Sequence, residues 1–358
     1  MNAIVAGVVL IGTLAGFELL AREIEPRLPI EHKKWPRKEM GAKYEQMVDL
    51  SRTDRSVGVL FAGSSMMASG IDPNAFTEAS GVESYNSAFA GPGMTALTPW
   101  ILDVAEPMLS PDTVVLGIQS RELNGKSGEI ARFHTVLRQS PGFEVAAGRT
   151  LLDRLERWFE YSSAFFRNRR AFRSPFTMFE EKGVIRQHRV GPRGTRLQPT
   201  GTYHGVVARA GQGTGFRLGE DQLEALDRLA RALNARDVGL VLIAMPVTGD
   251  YGLARPRVRE RFFEVLSDWA IEREATVIDA QDAYPSVDPF RDPIHLDTDA
   301  RVALGASLGR SWSEIVESGG PYLRLECAED MSCEVSEIDE LTPKDSPAPG
   351  RRSQVPAG

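Results

Sequence analysis

Ser65 and His295 are the residues of this chain best suited to nucleophilic catalysis. Ser65 follows Gly63-Ser64 directly after the apolar run Val57–Ala62, which predicts a hydroxyl group at the point where a buried strand meets its loop. In open α/β sheets, sites gather at the carboxyl ends of strands. A Gly-Ser-Ser at this position is more often an ordinary strand-to-helix turn or a helix cap, so the segment alone does not favour a nucleophile.

A second segment favours chemistry over a simple turn. Asp292 lies three residues before His295, so its carboxylate can orient the imidazole and stabilise its positive charge while the ring removes the proton of Ser65. The other histidines lie in the polar N-terminal segment or in the middle of the chain: His32, His134, His188 and His204. Only His295 follows a predicted strand and has an acid at a suitable offset. The three residues therefore form a candidate catalytic triad.

The elements that position this triad are short apolar strands that alternate with helices. Buried strands are predicted for Val57–Ala62, Thr113–Ile118, Gly239–Met245 and Ala275–Ile278. Helices are predicted over Gly219–Asn234, over Arg255–Glu272 and after Asp297 as far as Val316. This alternation is typical of a mainly parallel sheet covered by helices on both faces, which is a three-layer αβα sandwich of the α/β class.

The N-terminal segment Ala3–Ala21 is apolar except for Glu18, and it is long enough to cross a bilayer as a helix. A signal peptide is the competing interpretation, but the segment begins without Lys or Arg and ends in a poor cleavage site. A helix buried in the protein core is a third interpretation of this segment. We predict an uncleaved anchor over residues 1–21 and a polar juxtamembrane stalk over residues 22–50. All flanking basic residues lie downstream, which by the positive-inside rule favours a cytoplasmic domain.

The rest of the chain divides by composition into a domain, an insertion and a tail. A catalytic domain is predicted over residues 51–325, with a helical or irregular insertion over about residues 125–218. Residues 161–210 hold ten basic side chains and two acidic ones, which suits a surface facing anionic lipid or polymer, or a solvated helical cap. Residues 326–358 are acidic and poor in apolar side chains, so a disordered tail is predicted.

Charge and cysteine content argue against two functional classes. The net charge of −7 argues against general nucleic-acid binding, because phosphate contacts need an excess of Lys and Arg. The two cysteines, Cys327 and Cys333, form no cluster with zinc or redox spacing, so we predict neither a metal nor a cofactor. The pair can close a small disulfide loop in an oxidising compartment, or remain as two thiols.

Four short motifs in this order resemble the SGNH/GDSL hydrolase superfamily, over about Ser56–Ile315 without the insertion. The Gly-Ser-Ser segment takes the place of the usual Gly-Asp-Ser, which implies that Ser65 is the nucleophile. Asp292 and His295 match the family's Asp-x-x-His block. Tyr85–Gly91 matches the second block, which implies that the backbone N–H of Gly91 joins that of Ser65 in an oxyanion hole. The family's fold is an α/β sandwich with a flavodoxin-like sheet.

The third block departs from the family pattern. The usual Gly-x-Asn-Asp is replaced within Leu116–Asn124, where Gln119 takes the place of the asparagine that donates to the oxyanion. The resemblance thus implies that Gln119 is the third donor, with Ser120 or Asn124 as substitutes. The Gly-Ser-Ser variant is similar to the branch associated with alginate O-acetylation and teichoic acid D-alanylation.

The resemblance implies a membrane-anchored serine esterase or acyltransferase that forms an acyl-enzyme and needs no cofactor. Its expected substrates are acyl esters of a surface polysaccharide or a lipid-linked glycan. Its expected partners are the membrane, through the N-terminal helix, and a multispanning membrane acyltransferase. An enzyme that acts on surface polymers needs its catalytic domain in the periplasm or at the cell surface. We give this requirement more weight than the positive-inside rule, and therefore predict an extracytoplasmic domain. A plain carboxylesterase or lipase, and a catalytically silent scaffold for a membrane acyltransferase, are the alternatives.

Overall fold

The centre of the domain is a seven-stranded sheet in the part of the chain that the structure describes. The structure is a computed structural model and describes residues 2–24, 38–53, 56–125, 162–167, 190–196, 217–249, 251, 256–273, 275–317 and 322–338. The strands are β1 Val59–Gly63, β2 Ser84–Asn86, β3 Thr113–Ile118, β4 Gly239–Ala244, β5 Thr276–Asp279, β6 Phe290–Asp292, β7 His295–Leu296, β8 Tyr322–Cys327 and β9 Cys333–Glu337. The large sheet has the order β2-β1-β3-β4-β5-β8-β9, and β6 pairs with β7 separately.

Strand direction and helix placement confirm the predicted α/β class. Every neighbouring pair in the large sheet is parallel except β8 and β9. Parallel strands need crossover connections, which here are supplied by helices. The described helices are α1 Asn2–Ile24, α2 Lys38–Ser51, α3 Ser65–Gly70, α4 Pro73–Ser80, α5 Met94–Trp100, α6 Glu106–Leu109, α7 Ala164–Arg167, α8 Glu220–Asn234, α9 Pro256–Arg273, α10 Thr298–Arg310 and α11 Trp312–Glu317. The predicted strands and the three predicted helical regions lie within one or two residues of the observed elements, although a break at Ser311 separates α10 from α11.

Alternating side chains of the buried strands divide the core into two layers. In β1, Leu60 and Ala62 pack in one core with α2, α5, α8 and α9. Val59 and Phe61 point to the opposite face and pack with α3, α4 and α10. Both sets are buried, as expected for a parallel sheet with helices on both faces. The architecture is therefore a three-layer sandwich.

Residues 38–51 correct the predicted stalk. They form α2, in which Met40, Lys43 and Met47 are completely buried against the domain. These residues are three and four positions apart, so they share one face of the helix. The sequence does not reveal this buried face, because the segment is polar overall and one of the three buried residues is a lysine. The domain thus begins before residue 51, and the structure does not describe residues 25–37.

Residues 326–337 correct the first part of the predicted disordered tail. They belong to the hairpin of β8 and β9, which extends the sheet at one edge. Cys327 and Cys333 face each other in this hairpin and form a disulfide. The two alternatives left open by the sequence are thus resolved in favour of the bonded pair. The remainder of the predicted tail, beyond residue 338, lies outside the described residues.

Helix α1 contains the apolar N-terminal segment. Val5–Glu23 is long and apolar enough to cross a membrane, with a mean hydropathy of 1.7, as is also true of signal sequences. The carboxylate of Glu18 accepts hydrogen bonds from the N–H groups of Ala164 and Phe165, at 2.9 Å and 3.1 Å, and so caps α7. Apart from residues 162–167 and 190–196 and its two ends, the predicted insertion lies outside the described residues.

Candidate active site

The structure brings Ser65, His295 and Asp292 together. Ser65 is the first residue of α3, immediately beyond the end of β1, whereas Asp292 and His295 end β6 and begin β7. His295 Nε2 lies 2.9 Å from Ser65 Oγ. His295 Nδ1 lies 2.9 Å and 2.8 Å from the two carboxylate oxygens of Asp292. These distances are those of a hydrogen-bonded nucleophile, base and orienting acid.

Asp292 is held in place by backbone groups as well as by the imidazole. Its Oδ1 accepts hydrogen bonds from the N–H groups of Ile294 and His295, each at 3.1 Å. Burial opposes ionisation of this carboxyl, but the hydrogen bond and charge of His295 and the N–H of Ile294 keep its pKa below the ordinary value. An ionised Asp292 accepts a hydrogen bond from the N–H at Nδ1, which leaves Nε2 as the acceptor facing Ser65. The arrangement therefore suits proton removal from Ser65.

Asp297 is the other acid close to His295 in sequence, but it has a different structural task. It is the N-cap of α10, and its Oδ1 accepts a hydrogen bond of 2.8 Å from the N–H of Ala300. Such a cap stabilises the helix by satisfying one of its free N–H groups. Asp292 is therefore the carboxylate that the structure pairs with the imidazole.

The turn that presents Ser65 depends on a close approach of two strands. Gly63 has a φ of +146°, and a Cβ atom at this position would lie 2.7 Å from the carbonyl oxygen of Gly117 in β3. Ser64 caps α3, with its Oγ 3.4 Å from the N–H of Met66. The N–H of Ser65 is among the first N–H groups of a helix, which have no acceptor within that helix. It is a suitable donor for an oxyanion.

The loop with Gly91 runs beside this turn. The N–H groups of Ser87 and Phe89 donate to the carbonyls of Phe61 and Gly63, at 2.8 Å and 3.1 Å, so the loop continues along the end of β1. Gly91 has a φ of +87°, in the left-handed region that favours glycine. The structure thus places the second predicted donor on a loop anchored to β1, the strand that precedes Ser65.

The candidate third donor, Gln119, makes its hydrogen bonds elsewhere. Its amide nitrogen donates to the carbonyl of Met245, and its Oε1 accepts a bond of 2.6 Å from Gln281. Both partners follow strands of the sheet, β4 and β5, so this side chain connects the ends of three neighbouring strands. Of the proposed substitutes, Ser120 is partly exposed, and Asn124 forms a backbone bridge with Leu218.

Glu122 is a buried carboxyl that no sequence motif assigns to the site. It is 1% exposed, its carbonyl accepts from the N–H of Met94, and its side chain hydrogen-bonds the hydroxyl of Ser64. Burial raises its pKa to about 7, although the charge of Arg121 and the bond from Ser64 act in the opposite direction. The only sequence signal is its position in the altered third block, where an acidic residue in a loop is normally expected at the surface.

Within the described residues, no group of three or more His, Cys, Asp or Glu side chains is arranged to hold a metal ion. The described side chains that meet at this position are a serine hydroxyl, an imidazole and a carboxylate.

Comparisons with known proteins give little further information. No family model matches the chain, and no curated protein matches its sequence. Among solved structures, the chain is similar to a Streptococcus pneumonia protein that is provisionally described as a platelet activating factor. The identity is 11%, the match covers 78% of this chain and 93% of the other, and the TM-score is 0.36. This likeness is too distant to carry an argument about activity.

Proposed function

We propose that this chain is a serine esterase or acyltransferase of the SGNH type. The observation that carries the proposal is the continuous hydrogen-bonded arrangement of Ser65, His295 and Asp292, formed by residues 230 positions apart in sequence. A serine in an ordinary turn needs no imidazole at 2.9 Å, and an imidazole used for packing needs no carboxylate on its other nitrogen. The combination gives each group a catalytic task.

In the proposed mechanism, His295 Nε2 takes the proton of Ser65 as Oγ attacks the carbonyl carbon of an acyl ester. The negative charge that develops on the carbonyl oxygen is stabilised by the N–H groups of Ser65 and Gly91. His295 then gives its proton to the leaving oxygen, and the acyl group remains on Ser65. Water or a sugar hydroxyl, deprotonated by the same imidazole, attacks the acyl-enzyme and restores the serine.

We further propose that the acyl groups belong to a surface polysaccharide or a lipid-linked glycan. The apolar helix α1 supports attachment to a membrane, and the Cys327–Cys333 disulfide supports an oxidising compartment such as the periplasm or the cell surface. The Gly-Ser-Ser variant of the first block supports the branch that works with a multispanning membrane acyltransferase.

A catalytically silent scaffold is the second candidate function. It is favoured by Gln119, whose amide is engaged with Met245 and Gln281. A scaffold would position a membrane acyltransferase without using the triad. A plain carboxylesterase or lipase would use the same triad with water as the acceptor.

Reaction with a serine-directed fluorophosphonate probe tests the enzyme proposal. We expect Ser65 to be labelled, Ser65→Ala to lose all labelling, and hydrolysis of p-nitrophenyl acetate to be lost in parallel. Ser64→Ala is the matched control, because it removes the neighbouring hydroxyl and keeps the triad. Labelling that persists in Ser65→Ala, or that shifts to Ser64, would refute the assignment. An inert wild type would favour the scaffold.

A reporter fusion tests the location. Alkaline phosphatase is active only where its disulfides form, so we fuse it after Pro36, before α2 begins. We expect an active fusion, which places the domain outside the cytoplasm. A stable but inactive fusion, together with an active cytoplasmic reporter at the same residue, would leave an intracellular esterase as the better interpretation.

A further inference from the structure

Lys43 in α2 is a completely buried lysine in contact with the loop that leads to Gly91. Its Nζ donates to the carbonyl of Asn86 at 2.9 Å and also to the carbonyl of Ala88. In the described part of the chain, no carboxylate lies within ion-pair distance of this ammonium. Its bonding partners are therefore the backbone carbonyls at the end of β2 and in the loop that follows.

The same helix holds the loop at a third point. The carboxylate of Glu39 accepts a hydrogen bond of 3.3 Å from the N–H of Ala90, the residue before Gly91. The hydroxyl of Tyr85 donates to the backbone carbonyl of Lys43 at 3.1 Å, which fixes the helix against β2. Alternate residues of the loop are thus bonded to α2 up to the position of the proposed oxyanion donor.

The burial of the Lys43 ammonium needs an explanation beyond packing, because it carries a desolvation cost. Taking this charge out of water costs several kcal/mol, whereas a methionine of similar length would fill the same volume at no such cost. Burial lowers the pKa of Lys43 to about 8, with the charge of Glu39 acting to raise it and that of Arg196 acting to lower it. The cost is explained if the loop needs a strong donor at this position.

Resting on the proposed function, we propose that Lys43 is a positioning residue for the oxyanion hole. It holds the carbonyls of Asn86 and Ala88, and with Glu39 it fixes the loop so that the N–H of Gly91 is directed at the carbonyl oxygen of an acyl group on Ser65. Lys43 touches neither the substrate nor the reacting atoms. It acts through the backbone that carries the donor.

The test compares Lys43→Met with Met47→Ala in the full-length protein. Both substitutions disturb the buried face of α2, but only the first removes the bonds to the loop. With p-nitrophenyl acetate, we expect Lys43→Met to lower kcat by roughly 10-fold to 100-fold with little change in KM, since displacing a donor costs less than its removal. Met47→Ala should lose thermal stability and keep its kcat. Lys43→Gln, which can donate to one carbonyl, should recover part of the activity.

The pH profile of the wild type provides a measurement that needs no substitution. Lys43 is charged below its pKa of about 8 and becomes a weaker donor above it, so kcat should fall as the pH rises through this value. The groups that face it are Glu39 on α2, Arg196 from the segment 190–196 and the hydroxyl of Tyr85 from β2. The alkaline decline should be absent from Lys43→Met.

The possible failures are distinguishable. A wild type that reacts with the fluorophosphonate, together with a Lys43→Met protein that keeps its kcat, overturns the role of Lys43 and leaves the proposed function intact. Equal losses of kcat in Lys43→Met and Met47→Ala reduce Lys43 to a packing residue. A wild type that does not react with the probe overturns both proposals.

Discussion

The loops after β1 and after β3 are built on different principles. The first presents Ser65 and lies beside the Gly91 loop, where the candidate oxyanion donors are backbone N–H groups. That loop is bonded to β1 through the N–H groups of Ser87 and Phe89, and to α2 through Lys43 and Glu39. The second contains Gln119 and Glu122, whose side chains are engaged with Met245, Gln281 and Ser64. A backbone donor does not depend on its own side chain and is displaced only through the groups that hold its loop, whereas a side-chain donor is lost as soon as its amide finds another partner. The third block, which differs from the pattern that the sequence otherwise resembles, is the loop in which side chains rather than backbone groups make these contacts.

The largest effect should come from the proposed triad, which lies beside the first of these loops. We expect His295→Ala to lower kcat by about 10⁵-fold or more and Asp292→Ala by about 10⁴-fold, because the imidazole moves the proton and the carboxylate orients it. Steady-state rates with p-nitrophenyl acetate and circular dichroism of each variant provide the measurement. Equal or reversed losses in folded proteins would mean that another acid serves the imidazole.

Gly91 provides the next test, on the backbone side of the comparison. Gly91→Ala places a side chain at a φ of +87°, so the loop should shift and kcat should fall by about 100-fold. Gly81→Ala is the matched control, since Gly81 has a φ of +73° with open space around it and ends α4. Both variants should lose similar stability, measured by thermal melting. Loss of kcat in the control to the same extent would contradict a specific role for Gly91.

Gln119 tests the side-chain half of the comparison. Because its amide is engaged by Met245 and Gln281, we expect Gln119→Ala to reduce stability by about 1–3 kcal/mol while kcat falls less than about 10-fold. Urea unfolding and steady-state kinetics measure the two effects separately. A fall of about 100-fold or more in kcat with unchanged stability would make Gln119 the third oxyanion donor after all.

Glu122 should affect stability in a pH-dependent manner. Its pKa is raised from 4.5 to about 7 in the folded chain, so the folded protein binds more protons than the unfolded one between these values. The free energy of unfolding should therefore fall as the pH rises through this window, by roughly 1–3 kcal/mol from this group. Glu122→Gln should remove that slope and be the more stable protein at pH 8. Parallel unfolding curves of the two proteins from pH 5 to pH 8 would contradict the prediction.

The predictable parts of the molecule are those with local signals. The buried strands and the helix Glu220–Asn234 follow from runs and periods of apolar residues, and the Asp-x-x-His spacing places a carboxylate beside an imidazole within one short loop. The local spacing does not by itself place His295 beside Ser65. That expectation requires one further premise, that the carboxyl ends of parallel strands meet at one edge of the sheet.

The other features depend on partners far away in sequence. Lys43 is buried because carbonyls more than 40 residues later need a donor, and Gln119 turns toward Met245, 126 residues away. The hairpin after Tyr322 is acidic and short, and its strands form by pairing with the edge of a sheet that composition does not reveal. These residues are polar, so a sequence pattern assigns them to the surface by default.

The position of α2 determines where the protein can be cut without loss of its site. Thirteen residues separate the end of α1 from the beginning of α2. A chain of that length spans at most about 45 Å even when fully extended, so an anchored domain would work close to the membrane surface. A protease acting in this connection would release a domain that keeps Lys43 and Glu39, and therefore an intact loop at Gly91. A cut after Ser51 would separate α2 from the loop that it holds. For an anchored enzyme, release of the domain and loss of the support of the loop would thus follow from cleavage on opposite sides of a single helix.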